Sequence, residues 1–236
     1  SSPADSPQGY GYGSAFVSRE TGGVSLWGSL ADSQRISSAC ALGPSGEVLM
    51  YSTLYGGSGS CVGAVSLEKG AIVPVDNTIA GSLNWSKKGW GARGAKVSPQ
   101  NFEATLEVQG RFFRSANSRL LNLQSARRSV GAQLGIGLTE WINQPVNLQV
   151  AGGVQIRVLI PSNIYALKMQ TIDRQVGFFS GGFEIPPASL QGQKRQASFS
   201  GQIVNDVQDS KGYGFFLAPR EPEAGTQLDT SILYSG

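Results

Sequence analysis

Short runs in which apolar and polar residues alternate recur from one end of the chain to the other, and glycine-rich turns separate them. Glycine accounts for 32 of the 236 residues. A two-residue period of hydrophobicity is typical of half-buried β-strands, and tight turns join such strands into antiparallel hairpins. No apolar stripe with a helical period extends over three turns. The sequence therefore predicts an all-β fold, an antiparallel meander of many short strands that is barrel-like or a sandwich, built from two related halves.

The predicted strands follow one another with only one clear interruption. They cover residues 14–18, 24–30, 36–42, 48–55, 60–67, 79–85, 102–108, 120–123, 132–138, 146–150, 154–160, 164–172, 176–185, 195–204, 212–218 and 231–234. The interruption is the basic, glycine-rich stretch 86–99. It divides the chain into a linker-like N-terminal segment over 1–8, an N-terminal β-meander half over 9–95 and a C-terminal half over 96–236. The two halves could equally form one integrated domain.

The chain contains no histidine. This composition excludes Ser-His-Asp and Cys-His catalytic sites and removes the commonest metal ligand.

Paired carboxylates are the remaining route to hydrolysis, but Glu103 and Glu107 on one strand face would be roughly 13 Å apart at strand rise. Glu140 and Glu184 are the other carboxylates through which an enzyme could act. We predict no enzyme, no cofactor and no metal, and an ordinary polar turn, not a calcium loop, over 205–210.

The charge pattern is weakly basic, with a net charge of +3 and a pI of about 8.9. The basic residues form small clusters such as Lys87-Lys88 and Lys194-Arg195, which we interpret as solvated turn and strand-edge residues. Nucleic-acid binding requires a denser basic patch with stacking aromatics, so no nucleic-acid partner is predicted.

No apolar run is long enough for a transmembrane helix. A transmembrane barrel is an alternative, because its strands need only about ten residues.

Two cysteines, Cys40 and Cys61, fall on different predicted strands. One disulfide between them is the simplest account if the protein is exported, and it would stabilise the fold by roughly 3 kcal/mol. The alternative is two buried free thiols. A metal site is improbable with two thiols and no imidazole.

Several aromatic residues are candidates for ligand or partner contacts. Trp90 lies in the glycine-rich interruption, and Tyr10, Tyr12 and Tyr55 flank glycines. Trp90 either stacks on a sugar ring or packs back over the end of a barrel.

Segment 9–13, Gly-Tyr-Gly-Tyr-Gly, is also echoed by segment 212–216, Gly-Tyr-Gly-Phe-Phe. Aromatic-glycine steps of this kind suit strand bends, where a neighbouring ring covers the glycine.

Several motifs, taken together, resemble a known module. They are Gly-Tyr-Gly-Tyr-Gly-Ser-Ala-Phe-Val-Ser, Val-Ser-Leu-Trp-Gly-Ser-Leu-Ala-Asp, Tyr-Ser-Thr-Leu-Tyr-Gly-Gly-Ser-Gly-Ser-Cys-Val-Gly, Ile-Ala-Gly-Ser-Leu-Asn-Trp, Val-Gly-Phe-Phe-Ser-Gly-Gly-Phe, Ala-Ser-Phe-Ser-Gly-Gln-Ile and Gly-Tyr-Gly-Phe-Phe-Leu-Ala-Pro. In this order they are similar to the β-rich region near the C-terminus of large secreted or surface proteins of verrucomicrobial-type bacteria. The resemblance covers nearly the whole chain. It implies export and a non-catalytic role, and it supplies no catalytic residues.

The functional hypothesis is a non-catalytic structural or interaction module of an exported bacterial surface protein or fibre. Its partners would be neighbouring protein subunits or domains, in a filament or in adhesion. The all-strand pattern, the missing histidines and the 15% of charged residues favour this hypothesis. The alternative is a carbohydrate-binding module that uses exposed aromatics on a surface polysaccharide.

Overall fold

The protein is an all-β chain arranged in antiparallel sheets. The computed structural model describes residues 7, 9–72, 76–89, 101–113, 128–136, 140–151, 155–159, 165–173, 176–185, 195–205, 210–219 and 233–235. These residues form fifteen strands and one short 3-10 turn, Tyr55–Gly57. Within this part of the chain there is no α-helix, and no helix that could cross a membrane.

The first two sheets take up the N-terminal strands in sequence order. Sheet 1 contains β1 (Tyr12–Val17), β2 (Gly23–Ser29) and β3 (Arg35–Ala41). Sheet 2 contains β4 (Glu47–Leu54), β5 (Gly59–Glu68), β6 (Thr78–Lys87) and β7 (Phe102–Arg111). Every pairing is antiparallel between neighbours in the chain, which is the meander that the short turns predict.

The remaining strands form two further sheets with the same sequential order. Sheet 3 contains β8 (Arg128–Ile136), β9 (Glu140–Ala151) and β10 (Gln155–Leu159). Sheet 4 contains β11 (Lys168–Ile172), β12 (Phe178–Ile185), β13 (Arg195–Asn205), β14 (Ser210–Pro219) and β15 (Leu233–Ser235). All four sheets are open among the described strands, so a sandwich-like arrangement fits better than a closed barrel. The antiparallel all-β prediction is confirmed.

Sheets 1 and 2 enclose one hydrophobic core. Alternate residues of β2 to β7 point into it, as the two-residue period requires. The fully buried members are Val24, Leu30, Val48, Met50, Leu54, Tyr55, Cys61, Val65, Leu83, Trp85 and Phe102. Strand β7 belongs to this core and pairs with β6 over ten residues. Strand β7, which follows the interruption at 86–99, thus packs with the N-terminal strands.

Aromatic rings cover glycines at two places in the strands. A Cβ on Gly59 would lie 2.3 Å from the Ser86 carbonyl oxygen and 2.6 Å from the Tyr55 ring. A Cβ on Gly201 would lie 2.2 Å from the Tyr213 carbonyl oxygen and 2.5 Å from the Phe179 ring. Only glycine fits at such distances.

Candidate functional site

Four polar or amphipathic side chains meet inside the N-terminal core, and we call them the buried cluster: Asp32, Tyr55, Trp85 and Lys87. Asp32 is 0% exposed and Lys87 is 1% exposed. Lysine and aspartate are almost never fully buried without a partner, because removing a charge from water is costly. This cluster is therefore the chemically most distinctive part of the described structure.

Three separate elements supply the buried cluster. Asp32 lies in the turn between β2 and β3, where its carboxylate accepts a hydrogen bond from the backbone N–H of Gln34 at 2.9 Å. Tyr55 follows β4 directly. Trp85 and Lys87 are two residues apart on β6, so both side chains leave the same face of the strand. The cluster thus joins a turn of sheet 1 to the end of two strands of sheet 2.

Tyr55 adopts a backbone conformation that is rare for an aromatic residue. Its φ is +54°, and Ser33, beside Asp32, has a φ of +68°. Left-handed φ values at residues other than glycine cost of order 1–3 kcal/mol and persist only where surrounding contacts enforce them. The Tyr55 ring lies over Gly59, which has no side chain to displace it. The strain and the missing Cβ together direct the Tyr55 hydroxyl into the interior.

A chain of hydrogen bonds connects the cluster. The indole Nε1–H of Trp85 donates to the Tyr55 hydroxyl at 3.0 Å, and that hydroxyl donates to Oδ2 of Asp32 at 2.5 Å. The Lys87 Nζ atom lies 5.7 Å from the centroid of the Tyr55 ring, within the range of a cation–π contact. Phe102 closes one side, because its ring meets the Trp85 ring edge-on at 4.8 Å.

Burial dominates the electrostatics of these groups. It raises the pKa of Asp32, while the hydrogen bonds from Tyr55 and Gln34 and the charge of Lys87 act in the opposite direction. Burial also lowers the pKa of Lys87, against the attraction of Asp32. The pKa of Tyr55 is raised far above its ordinary value by burial and by the Asp32 charge. Low-dielectric surroundings thus favour the neutral form of every titratable member.

Sequence reasoning did not single out Asp32 or Lys87. Interpreting Lys87-Lys88 as a solvated pair is wrong for Lys87, which is buried, and holds for Lys88, which is exposed. One sequence signal could have indicated that Lys87 is buried. The period-two pattern of Leu83 and Trp85 continues to Lys87, and all three residues share the core face of β6. The pattern was missed because Lys87 falls in the basic, glycine-rich stretch 86–99, which we interpreted as an interruption between strands.

The predicted contact residues have different environments. Tyr55 is 2% exposed, and its ring and hydroxyl make their contacts inside the core. Tyr10 is 64% exposed, and Tyr12 is half-buried. Trp90 lies outside the described residues.

Tyr10 and Tyr12 connect the two ends of the chain. The Tyr12 ring stacks on the ring of Phe215 with a centroid separation of 5.8 Å, and its hydroxyl donates to Ser200 at 3.1 Å. The Tyr10 ring meets the Tyr213 ring at 5.4 Å, and the Tyr10 backbone N–H donates to the Gly214 carbonyl. The two echoing segments of the sequence therefore pack directly against each other.

The disulfide prediction is wrong for this structure, in which Cys40 and Cys61 are both free thiols. Cys61 lies at the centre of sheet 2, opposite Ser52 and Trp85, and Cys40 lies on β3 of sheet 1. Each packs in the hydrophobic core as a small apolar side chain. Burial raises the pKa of the Cys61 thiol to about 11.

A second feature lies on the outside of sheets 1 and 2. We call it the outer face; it consists of Ser37, Ala39, Leu49, Tyr51 and Val62, which line a shallow open groove. Leu49 is 68% exposed and Tyr51 is 60% exposed. Tyr51 lies directly opposite Val62 in the pairing of β4 with β5. These residues form an apolar strip with serine along one side.

The described residues contain no group of three histidine, cysteine or acidic side chains that could hold a metal ion. No protein-family model matches the chain, and neither a curated protein nor a solved structure shows significant similarity to it.

Proposed function

We propose that this chain is a non-catalytic interaction module of an exported bacterial surface protein or fibre, and that the outer face contacts a neighbouring protein subunit. The observation that carries the proposal is the exposed apolar strip of Leu49, Tyr51 and Val62. Contiguous apolar side chains of this kind, next to polar ones, mark protein interaction surfaces. The resemblance of the sequence motifs to an exported β module supports the same conclusion.

The surroundings of the strip favour a protein partner. On the neighbouring strands β6 and β7 the exposed residues are polar apart from Ala80, and Thr105 donates a hydrogen bond to Asn84 at 3.4 Å. An apolar centre with a polar rim is the usual composition of a subunit interface. The non-catalytic part of the proposal is supported by the position of the buried cluster, because Asp32 and Lys87 have no contact with bulk solvent through which a substrate could reach them.

Sedimentation velocity over a wide concentration range tests the proposed subunit contact. We expect the purified chain to form reversible oligomers or polymers, and we expect Leu49→Thr and Tyr51→Thr to weaken them at least tenfold. Ile72→Thr is the matched control, because Ile72 is also a highly exposed aliphatic residue (65%) but lies in a loop outside the groove. A chain that stays monomeric at millimolar concentration would contradict the proposal.

A carbohydrate-binding module is the second candidate. It is favoured by the position of the exposed Tyr51 ring beside Ser37 and Ser38, since aromatic rings next to hydroxyl groups suit sugar stacking with hydrogen bonds. A glycan array with the native chain and the variants Tyr51→Ala, Tyr10→Ala and Trp90→Ala distinguishes it. Binding to a polysaccharide that is lost in one of these variants supports it, and no binding to any glycan removes it.

A further inference from the structure

We propose that the side chains of Lys87 and Asp32 condense into an intramolecular isopeptide bond, an amide between Nζ and the carboxyl carbon of Asp32. The bond would tie the turn between β2 and β3 of sheet 1 to the end of β6 in sheet 2. This inference does not depend on the identity of the partner at the outer face. It gives the buried cluster a role that burial of a charged pair alone does not explain.

The geometry that supports the proposal is the closure of a small, dry compartment around one amine and one carboxyl group. Both groups are shielded from water, and both contact the same side chain: the Tyr55 hydroxyl binds Oδ2 of Asp32, and Nζ of Lys87 faces the Tyr55 ring. The lysine stem has four flexible bonds, which leave Nζ free to move along the ring. The rings of Trp85 and Phe102 complete the apolar wall.

The condensation conserves atoms and needs no oxidant or other reagent. A proton first passes from the Lys87 ammonium to the Asp32 carboxylate, which leaves a neutral amine and a neutral carboxylic acid. Nζ then attacks the carboxyl carbon while Oδ1 is held by the Gln34 N–H. The Tyr55 hydroxyl gives its proton to the departing Oδ2 and takes the proton that Nζ loses. The N–C bond forms, the C–Oδ2 bond breaks, and one water molecule leaves.

The surroundings favour both reacting forms. Burial raises the pKa of Asp32 and lowers the pKa of Lys87, so the free acid and the free amine are the forms that the site stabilises. The product is an uncharged amide, which an apolar interior accommodates at lower cost than an ion pair. Exclusion of water from the compartment also protects the amide against hydrolysis.

Mass spectrometry of the intact, purified chain is the primary test. We expect its mass to be lower than the sequence mass by one water molecule. A cyclic imide at an aspartate would remove the same water, so a tryptic digest decides between the two. The isopeptide bond predicts a branched species in which peptide 20–35 is attached to peptide 70–88, with no cleavage after Lys87 because its amine is acylated.

Three variants complete the test. Lys87→Arg keeps a positive charge but removes the nucleophilic amine, and Asp32→Ala removes the electrophile; both are expected at full sequence mass. Tyr55→Phe, checked for folding by circular dichroism, is expected to slow bond formation at least tenfold. An intact native chain at full sequence mass, or loss of water without the branched peptide, would overturn the proposal. Because the native chain alone gives this result, the test does not depend on whether a variant folds.

Discussion

The hydroxyl group of Tyr55 donates a 2.5 Å hydrogen bond to Oδ2 of Asp32, across the boundary between two sheets. The same hydroxyl accepts the indole N–H of Trp85. One oxygen atom thus satisfies two buried polar groups that have no access to water. Removal of the Tyr55 hydroxyl leaves the Asp32 carboxyl group and the Trp85 indole N–H without this hydrogen-bond partner.

Tyr55→Phe tests this relationship in terms of stability. Each buried polar group that loses its partner costs about 1–3 kcal/mol, so we expect the free energy of unfolding to fall by about 2–4 kcal/mol. Urea denaturation followed by tryptophan fluorescence measures the change, with each substitution made in the Lys87→Arg chain, in which the Asp32 carboxyl group stays intact. Tyr51→Phe is the matched control, because Tyr51 is exposed; its effect should stay within about 0.5 kcal/mol. Equal effects of the two substitutions would contradict the hydrogen-bond chain.

Gly59→Ala tests the packing that directs Tyr55 inward. The new Cβ would overlap the Ser86 carbonyl oxygen and the Tyr55 ring, and overpacking of this kind costs about 1–3 kcal/mol. We expect loss of stability together with a change in the near-ultraviolet circular dichroism of the aromatic residues. Gly23→Ala serves as the control, since its Cβ would meet only the side-chain hydroxyl of Thr21 at 3.1 Å. If both variants behave alike, the close approach at Gly59 is not significant.

Tyr12→Ala tests the contact between the two ends of the chain. The substitution removes the stacking on Phe215, the tilted contact with Phe178 and the hydrogen bond to Ser200. Aromatic pairs contribute about 0.5–1.5 kcal/mol each beyond the area they bury, and we expect a loss of about 2–3 kcal/mol in total. Phe16→Ala on the same strand should cost less than about 1 kcal/mol, because Phe16 is exposed. A reversed order would contradict the packing of the echoing segments.

The sequence indicated most of the described strands because their signal is local; the predicted strand over 120–123 lies outside the described residues. The period-two pattern of β7, for example, predicts its start at Phe102, and the structure confirms it. The buried cluster could not be predicted in the same way. Its members come from positions 32, 55, 85 and 87, and only the folded chain shows that a turn aspartate and a strand-end lysine face the same tyrosine. The echo between segments 9–13 and 212–216 was visible, but its cause, direct packing, was not.

Thiol reactivity tests the free cysteines. In denaturant we expect two thiols per chain to react with a thiol reagent, whereas a disulfide would give none. In the native state Cys61 should be protected, because it is buried and its pKa is raised to about 11. Labelling followed by peptide mass analysis identifies which cysteine has reacted.

The raised pKa of Cys61 also predicts a pH dependence of stability. The folded chain keeps the thiol proton at pH values at which the unfolded chain has lost it. The free energy of unfolding should therefore be unaffected below pH 9.0 and fall as the pH rises toward about 11, by about 2–3 kcal/mol. Subtracting the profile of Cys61→Ala isolates this contribution from other groups. A flat difference profile would contradict the assignment.

The central claim is that Tyr55 and its partners form a sealed polar interior and not a ligand-binding surface. Hydrogen exchange of the Trp85 indole N–H, followed by NMR in the native state, measures this most directly. Trp27 provides an internal reference, because it is partly exposed at 42%. We predict that the Trp85 signal exchanges only through global unfolding, far more slowly than that of Trp27. Exchange of the Trp85 signal as rapid as that of Trp27 would contradict the claim.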